Sequence, residues 1–241
     1  MISCGFKVWR DMFRKLAQAA SAVFAVALST ALLGTGTAAA DPARPVLGGG
    51  SGLIISSESG QMSEYAIQCT LTTIGRDGAG RLVGITAGHC GTPGHEVYAE
   101  QDPGAGALGR FVYSNQDLDY AVLEFDPGRV TPVNRIGNLS ITGVGAPAQF
   151  PNIVCKEGRT TGNTCGLAYG DVFASNMETW SQMCVMEGDS GAPVVVGSTL
   201  VGMVNAYLAI ACFGPEVGTN MTTIMGDIDS RNSIGAGYRP I

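Results

Sequence analysis

Three short segments carry residue types that could cleave an acyl bond. The first is Glu187-Gly188-Asp189-Ser190-Gly191-Ala192-Pro193. A serine hydroxyl is a weak nucleophile and needs a base, an acid to orient that base, and donors for the oxyanion. Glycine before and after the serine lets the chain turn so that Ser190 Oγ and the N–H groups of Gly188 and Ser190 face one point. An ordinary surface turn has the same composition. The second segment, Ile85-Thr86-Ala87-Gly88-His89-Cys90, ends an apolar run in a histidine that could take the serine proton. The other histidine, His95, follows Gly91-Thr92-Pro93-Gly94 and reads as solvated surface. The third is Asp117-Leu118-Asp119-Tyr120-Ala121-Val122-Leu123. An orienting acid should lead into a core strand. Asp119 does so, whereas Asp117 is followed at the same offset by a second aspartate and reads as loop.

Chain order separates the hydrolase classes. Ser190 lies C-terminal to both histidines. An α/β-hydrolase needs the histidine last, and a subtilisin order needs an acid before the histidine on an α/β scaffold. The order His89, Asp119, Ser190 is the one found in chymotrypsin-like enzymes.

The elements that must position these residues read as strands. Short runs rich in Val, Ile, Thr and Tyr recur between turn residues: 66–73, 81–86, 108–113, 120–125, 193–196 and 200–204. No amphipathic stretch of 10–15 residues separates them, which argues against βαβ units. One helix is expected over 222–229, where Ile224 and Ile228 are four apart. The 35 glycines agree with short elements and many turns. The fold class expected is all-β. The Pro/Gly-marked stretch 127–145 is the best boundary between two halves.

Only 14% of the 241 residues are charged and 45% are hydrophobic, which excludes disorder as the main state. Two histidines exclude a three-histidine zinc site, and no cofactor or metal is expected. Lys7, Arg10, Arg14 and Lys15 precede an uncharged run from Leu16 to Leu33, then Thr37-Ala38-Ala39-Ala40. That order is a secretory signal over 1–40, with translation starting at Met1 or Met12. Polar Gln18, Ser21, Ser29 and Thr30 within the run argue against a lasting membrane anchor. Beyond residue 40, ten bases stand against nineteen acids, and Lys156 is the one lysine. So acidic a chain, without a basic cluster, does not suit a nucleic-acid partner. Six cysteines remain, an even number fitting three disulfides in an exported chain, with 15 pairings open. Neighbours in sequence fall as 69 with 90, 155 with 165, and 184 with 212.

Taken together, the motifs resemble the chymotrypsin-fold serine proteases, closest to the secreted actinobacterial branch of streptogrisins and α-lytic protease. Thr86-Ala87-Gly88-His89-Cys90 is similar to the histidine motif and Asp119-Tyr120-Ala121-Val122 to the aspartate strand. Cys155-Lys156-Glu157-Gly158-Arg159-Thr160-Thr161-Gly162 with Cys165-Gly166 resembles the bacterial disulfide loop, and Gly188-Asp189-Ser190-Gly191 the serine motif. The likeness covers about residues 65–225. It implies two antiparallel β-barrels, expected over 41–137 and 138–241, with a triad of His89, Asp119 and Ser190 between them. It also implies the bridges Cys69–Cys90, Cys155–Cys165 and Cys184–Cys212, an oxyanion hole at Gly188 and Ser190, and a peptide or protein as substrate of a secreted monomer. Lys156 stands where the bacterial branch has the basic partner of the aspartate next to the nucleophile, here Asp189. Val185, Met186, Asn205, Ala206 and Tyr207 fall along the specificity pocket.

Departures from the family pattern bear on activity. Ala192 replaces a second glycine, so that a methyl tightens the site. Asn205-Ala206-Tyr207 replaces Ser-Gly-Gly, so that Asn205 can bond Asp119 while Tyr207 takes up pocket volume. The resemblance puts Cys184-Val185-Met186 at the pocket base, which then carries no acid. Only residues 41–68 separate the signal from Cys69, a short stretch for a folding pro-segment. A catalytically silent protein of the same fold, binding a peptide or partner, is the competing expectation.

Overall fold

The computed structural model describes residues 43–57 and 66–241. The expected signal over 1–40 lies outside them. Among the described residues, two eight-stranded sheets and one α-helix account for most of the regular structure.

The first sheet runs, edge to edge, Arg239–Pro240, Thr73–Arg76, Leu82–Ala87, Tyr120–Phe125, Gly109–Asn115, Glu96–Ala99, Gly52–Ser56 and Ile67–Thr70, all antiparallel. Its centre is built from the most apolar runs. All six residues of Leu82–Ala87 are buried, as are five of six in Tyr120–Phe125. A register shift between Phe111 and Tyr113 interrupts their neighbour, a bulge of the kind that bends a sheet.

The second sheet runs Gly143–Val144, Thr199–Met203, Pro193–Val196, Ile153–Gly158, Gly162–Gly170, Glu178–Ser181, Glu216–Thr219 and Ala206–Tyr207. It is antiparallel except where Gly143–Val144 joins Thr199–Met203. Val195, Leu200 and Met203 from it share one apolar core with Leu53, Ile85, Phe111 and Leu123 of the first sheet. Val154, Val185, Val194 and Val204 form a second core.

Helix α1 spans Met221–Ser230, one residue longer at each end than the sequence suggests. Met221, Ile224 and Ile228 are buried at spacings of three and four, one apolar stripe. The chain then returns to pair Arg239–Pro240 with Gly75 and Arg76 of the first sheet.

Three disulfides join Cys69 to Cys90, Cys155 to Cys165 and Cys184 to Cys212. Among the described residues, no helix is long and apolar enough to cross a membrane. The stretch 66–73 forms two strands, Ile67–Thr70 and Thr73–Arg76, because Leu71 and Thr72 leave the ladder. Thr72 N donates instead to Ile85 O.

Candidate active site

His89 sits in a one-turn 3₁₀ segment, Gly88–Cys90, directly after the buried strand Leu82–Ala87. Asp119 ends the turn before Tyr120–Phe125, the strand next to it. Pairing of Ala87 with Tyr120 therefore brings the two side chains together. His89 Nδ1 lies 2.8 Å and 3.0 Å from the two carboxylate oxygens of Asp119. Because an ionised carboxylate only accepts, this ring nitrogen is the donor and Nε2 is left to accept. The His89 amide donates to Asp119 Oδ1 at 2.8 Å, fixing the acid from a second direction. Asp119 holds a left-handed backbone, φ 45°, a strained setting for a side-chain-bearing residue. Asn205 Nδ2 fastens it by donating to its backbone O at 2.7 Å and to Oδ2 at 2.9 Å. Burial pushes the Asp119 carboxyl upward, but the bonds from His89 and Asn205 outweigh it and hold the group below its ordinary value. Asp117 is exposed, and its amide donates to Asn115 Oδ1 within the turn. His95 is half-buried and packs edge-on against Phe111 rather than standing free in solvent.

Ser190 arrives from the second sheet, on the loop before Pro193–Val196. His89 and Ser190 line one groove of about 560 Å³, together with Ile67, Gln68, Cys69, Arg159, Glu187 and Gly188. Among the hydrogen bonds of the described residues, none joins Ser190 Oγ to His89. The turn around Ser190 is held by the first sheet. Thr70 N donates to Ser190 O at 2.8 Å, Thr70 Oγ1 to Gly188 O at 2.9 Å, and Thr72 Oγ1 to Gly191 O at 2.6 Å. Two positions in it require glycine. Gly188 has φ +94°, and a Cβ there would fall 2.4 Å from Thr160 Oγ1. Gly191 has φ +86°, and a Cβ would fall 2.2 Å from Thr70 O. Among the described residues, nothing accepts a hydrogen bond from the amides of Gly188 or Ser190. Both residues line the groove, and two amide donors without a protein acceptor beside a serine are suited to an anionic oxygen.

Asp189, between those amides, is fully buried and so is Lys156; Nζ to Oδ2 is 3.2 Å. Asp189 also accepts from the amides of Thr160, Thr161 and Met186 at 2.9, 3.1 and 3.1 Å, and from Thr161 Oγ1 at 2.6 Å. Burial pushes this carboxyl up, yet the Thr161 hydroxyl, Lys156 and these amides together hold it low. Lys156 further donates to Thr161 Oγ1 and to Gly162 O. Burial pulls its ammonium down against the attraction of Asp189.

Of the pocket residues expected from sequence, Val185 is buried, and Met186, Ala206 and Tyr207 are exposed. Ala206–Tyr207 is the edge of the second sheet, so its outer backbone groups are open to pairing. Tyr207 is 38% exposed. Ala192 is completely buried among the valines of the second core, so its methyl adds packing instead of crowding the groove.

Sequence reasoning missed Glu216. Its segment, Gly214-Pro215-Glu216, has turn composition, yet Glu216 starts a strand between Ser181 and Tyr207 and is 2% exposed. Ser181 Oγ donates to one carboxylate oxygen, and the other has no partner among the described residues. Burial pushes this carboxyl up to about 8, against the Ser181 bond and the Lys156 charge. It faces a cavity of about 10 Å³ lined by Val154, Val194, Val201 and Met203, not the groove at Ser190. Thr70, Thr72 and Thr160 were missed as well, because nothing local marks a hydroxyl that braces a distant turn.

Solved structures share this arrangement of strands. Thermobifida fusca Protease A superposes with a TM-score of 0.59 at 22% identity, covering 76% of this chain and 95% of its own. Nocardiopsis Protease gives 0.59 at 20%, covering 76% and 96%. Cellulomonas bogoriensis chymotrypsin gives 0.59 at 23%, covering 81% and 98%. The fold is that of the chymotrypsin-like serine proteases. No protein-family model and no curated protein matches the chain.

Proposed function

We propose that this chain is a secreted serine endopeptidase acting through an acyl-enzyme. One observation carries the reading: a histidine bonded through Nδ1 to an aspartate shares a groove with a serine whose turn offers two unpartnered amides. In this mechanism His89 Nε2 takes the Ser190 proton as Oγ attacks a peptide carbonyl. The oxyanion is received by the amides of Gly188 and Ser190. Asp119 keeps the reactive nitrogen facing the groove and stabilises the imidazolium. His89 then gives its proton to the departing amine, and water repeats the sequence on the ester. Lys156 holds Asp189, and with it the turn, so that no cut chain terminus is required to form the site.

The same reading assigns Val185, Met186 and the 205–207 edge to the acyl side of the substrate. No acid is expected at the floor of that pocket, so small or modest apolar side chains are preferred over Arg or Lys. Labelling with a fluorophosphonate, with Ser190→Ala as control, tests the chemistry. A peptide-library profile tests the preference, and cleavage dominated by Arg or Lys would contradict it. A second reading, a silent peptide-binding protein, is favoured by the missing bond between Ser190 and His89. Its outcome is peptide binding without labelling. Apo enzymes often tighten this contact only with substrate bound, which is why the enzymatic reading is preferred.

A further inference from the structure

The N–H of Gly188 can serve an oxyanion only if the peptide linking Glu187 to Gly188 faces the right way. In a trans peptide the C=O and N–H point in opposite directions, so fixing one aims the other. Three consecutive peptides of the turn are fixed in this way, by different partners. The Gly188 carbonyl accepts from Thr70 Oγ1 at 2.9 Å, and the Asp189 amide on its far side donates to Met186 O at 3.0 Å. The Asp189 carbonyl accepts from the Ala192 amide at 2.8 Å, leaving the Ser190 N–H to face the groove. Among the described residues, the Glu187 carbonyl accepts from a single side chain, Thr160 Oγ1, at 2.8 Å.

Thr160 is itself anchored. Its amide donates to buried Asp189 Oδ1 at 2.9 Å, and its hydroxyl oxygen accepts from Arg159 Nη1 at 3.2 Å. A threonine hydroxyl has one proton, and here the Glu187 carbonyl receives it. Arg159 is tied in turn to Glu100, from Nε at 2.9 Å and from Nη2. The route therefore runs from the Lys156–Asp189 pair through Thr160 to the Glu187 carbonyl and the Gly188 N–H.

We propose that Thr160 is a positioning residue that sets one of the two oxyanion donors by holding the Glu187 carbonyl. It does not line the groove that His89 and Ser190 share. Glycine at 188, with φ +94°, gives this peptide little resistance to rotation, so the hydroxyl supplies what the backbone lacks. The inference rests on the protease reading for its kinetic consequence but not for its geometric one.

Thr160→Val keeps the shape and removes the proton; Thr160→Ser keeps the proton. Loss of a whole oxyanion donor costs about 10²–10³ in kcat. Misdirecting one is expected to lower kcat about 10- to 100-fold in Thr160→Val, with KM changed less than about threefold. Affinity for a peptidyl trifluoromethyl ketone, which forms the oxyanion, should fall in step with kcat/KM. Thr160→Ser should stay within about threefold of wild type. Unchanged kcat in Thr160→Val, or equal damage in Thr160→Ser, would overturn the proposal. Crystal structures of wild type and Thr160→Val separate this from the protease reading. Wild type should hold the 187–188 peptide in one orientation and the variant should show it reversed or in two. An unmoved peptide in Thr160→Val overturns the proposal whether or not the protein cuts peptides.

Discussion

Under the proposed mechanism, single residues divide into those that react and those that keep a costly state in place. Ser190→Ala is expected to lower kcat by about 10⁶ if the triad acts as a unit. Asp119→Asn presents the wrong tautomer to Ser190 and should cost about 10⁴ in kcat with the fold intact. Both are read by steady-state kinetics on a peptide substrate. Glu216 belongs to the second kind. Its carboxyl, pushed up to about 8, stays protonated in the folded protein at pH values where the unfolded chain has released its proton. Its contribution is fully present below about 4.5 and is lost as pH rises toward 8. Glu216→Gln keeps a partner for Ser181 and carries no titrating proton. It should melt above wild type at pH 8.5 and close to it at pH 4.5, by calorimetry at the two pH values. Equal melting differences at both would show that Glu216 does not titrate in this window. Sequence made the proposed triad legible, since His89, Asp119 and Ser190 sit in runs whose residue types fit one chemistry. Glu216 was hidden, because Gly-Pro before it signals a turn and burial depends on strands distant in sequence.

At the scale of elements, the candidate site is a meeting of loops from two sheets, and the buried pair Lys156–Asp189 holds one of them. Lys156 lies in the strand Ile153–Gly158, whose alternation of buried and open positions points it inward. Removing one partner of such a pair leaves an uncompensated buried charge and costs about 3–5 kcal/mol. Lys156→Met is expected to show that loss in denaturant unfolding, together with a fall in activity. Adding Asp189→Asn should recover part of the stability. A Lys156→Met protein of unchanged stability and activity would show that the pair does not hold the turn. Strands were legible where they are mostly apolar: 120–125 and 193–196 form as expected. The longest strand, Gly162–Gly170, was not, because Gly-Asn-Thr-Cys-Gly carries turn residues and gains its extended form only from pairing with Ile153–Gly158. Glu96–Ala99 and Gly52–Ser56 were missed for a related reason, since turn residues, Thr92-Pro93-Gly94 and Gly48-Gly49-Gly50-Ser51, lead into them.

Across the whole molecule, the Ser190 turn belongs to the second sheet but is fastened to the first by Thr70 and Thr72, while Asn205 fastens Asp119 in the reverse direction. The site therefore depends on both sheets holding their relation, and the shared core of Ile85, Leu123, Val195 and Leu200 supplies that. The central claim, that this arrangement activates Ser190, is tested most directly by fluorophosphonate labelling of the folded, disulfide-intact protein with mass-spectrometric mapping of the adduct. The account predicts one adduct per chain, on Ser190, abolished in Ser190→Ala and strongly slowed in His89→Ala. A folded protein that takes up no label, or takes it up elsewhere, would contradict it.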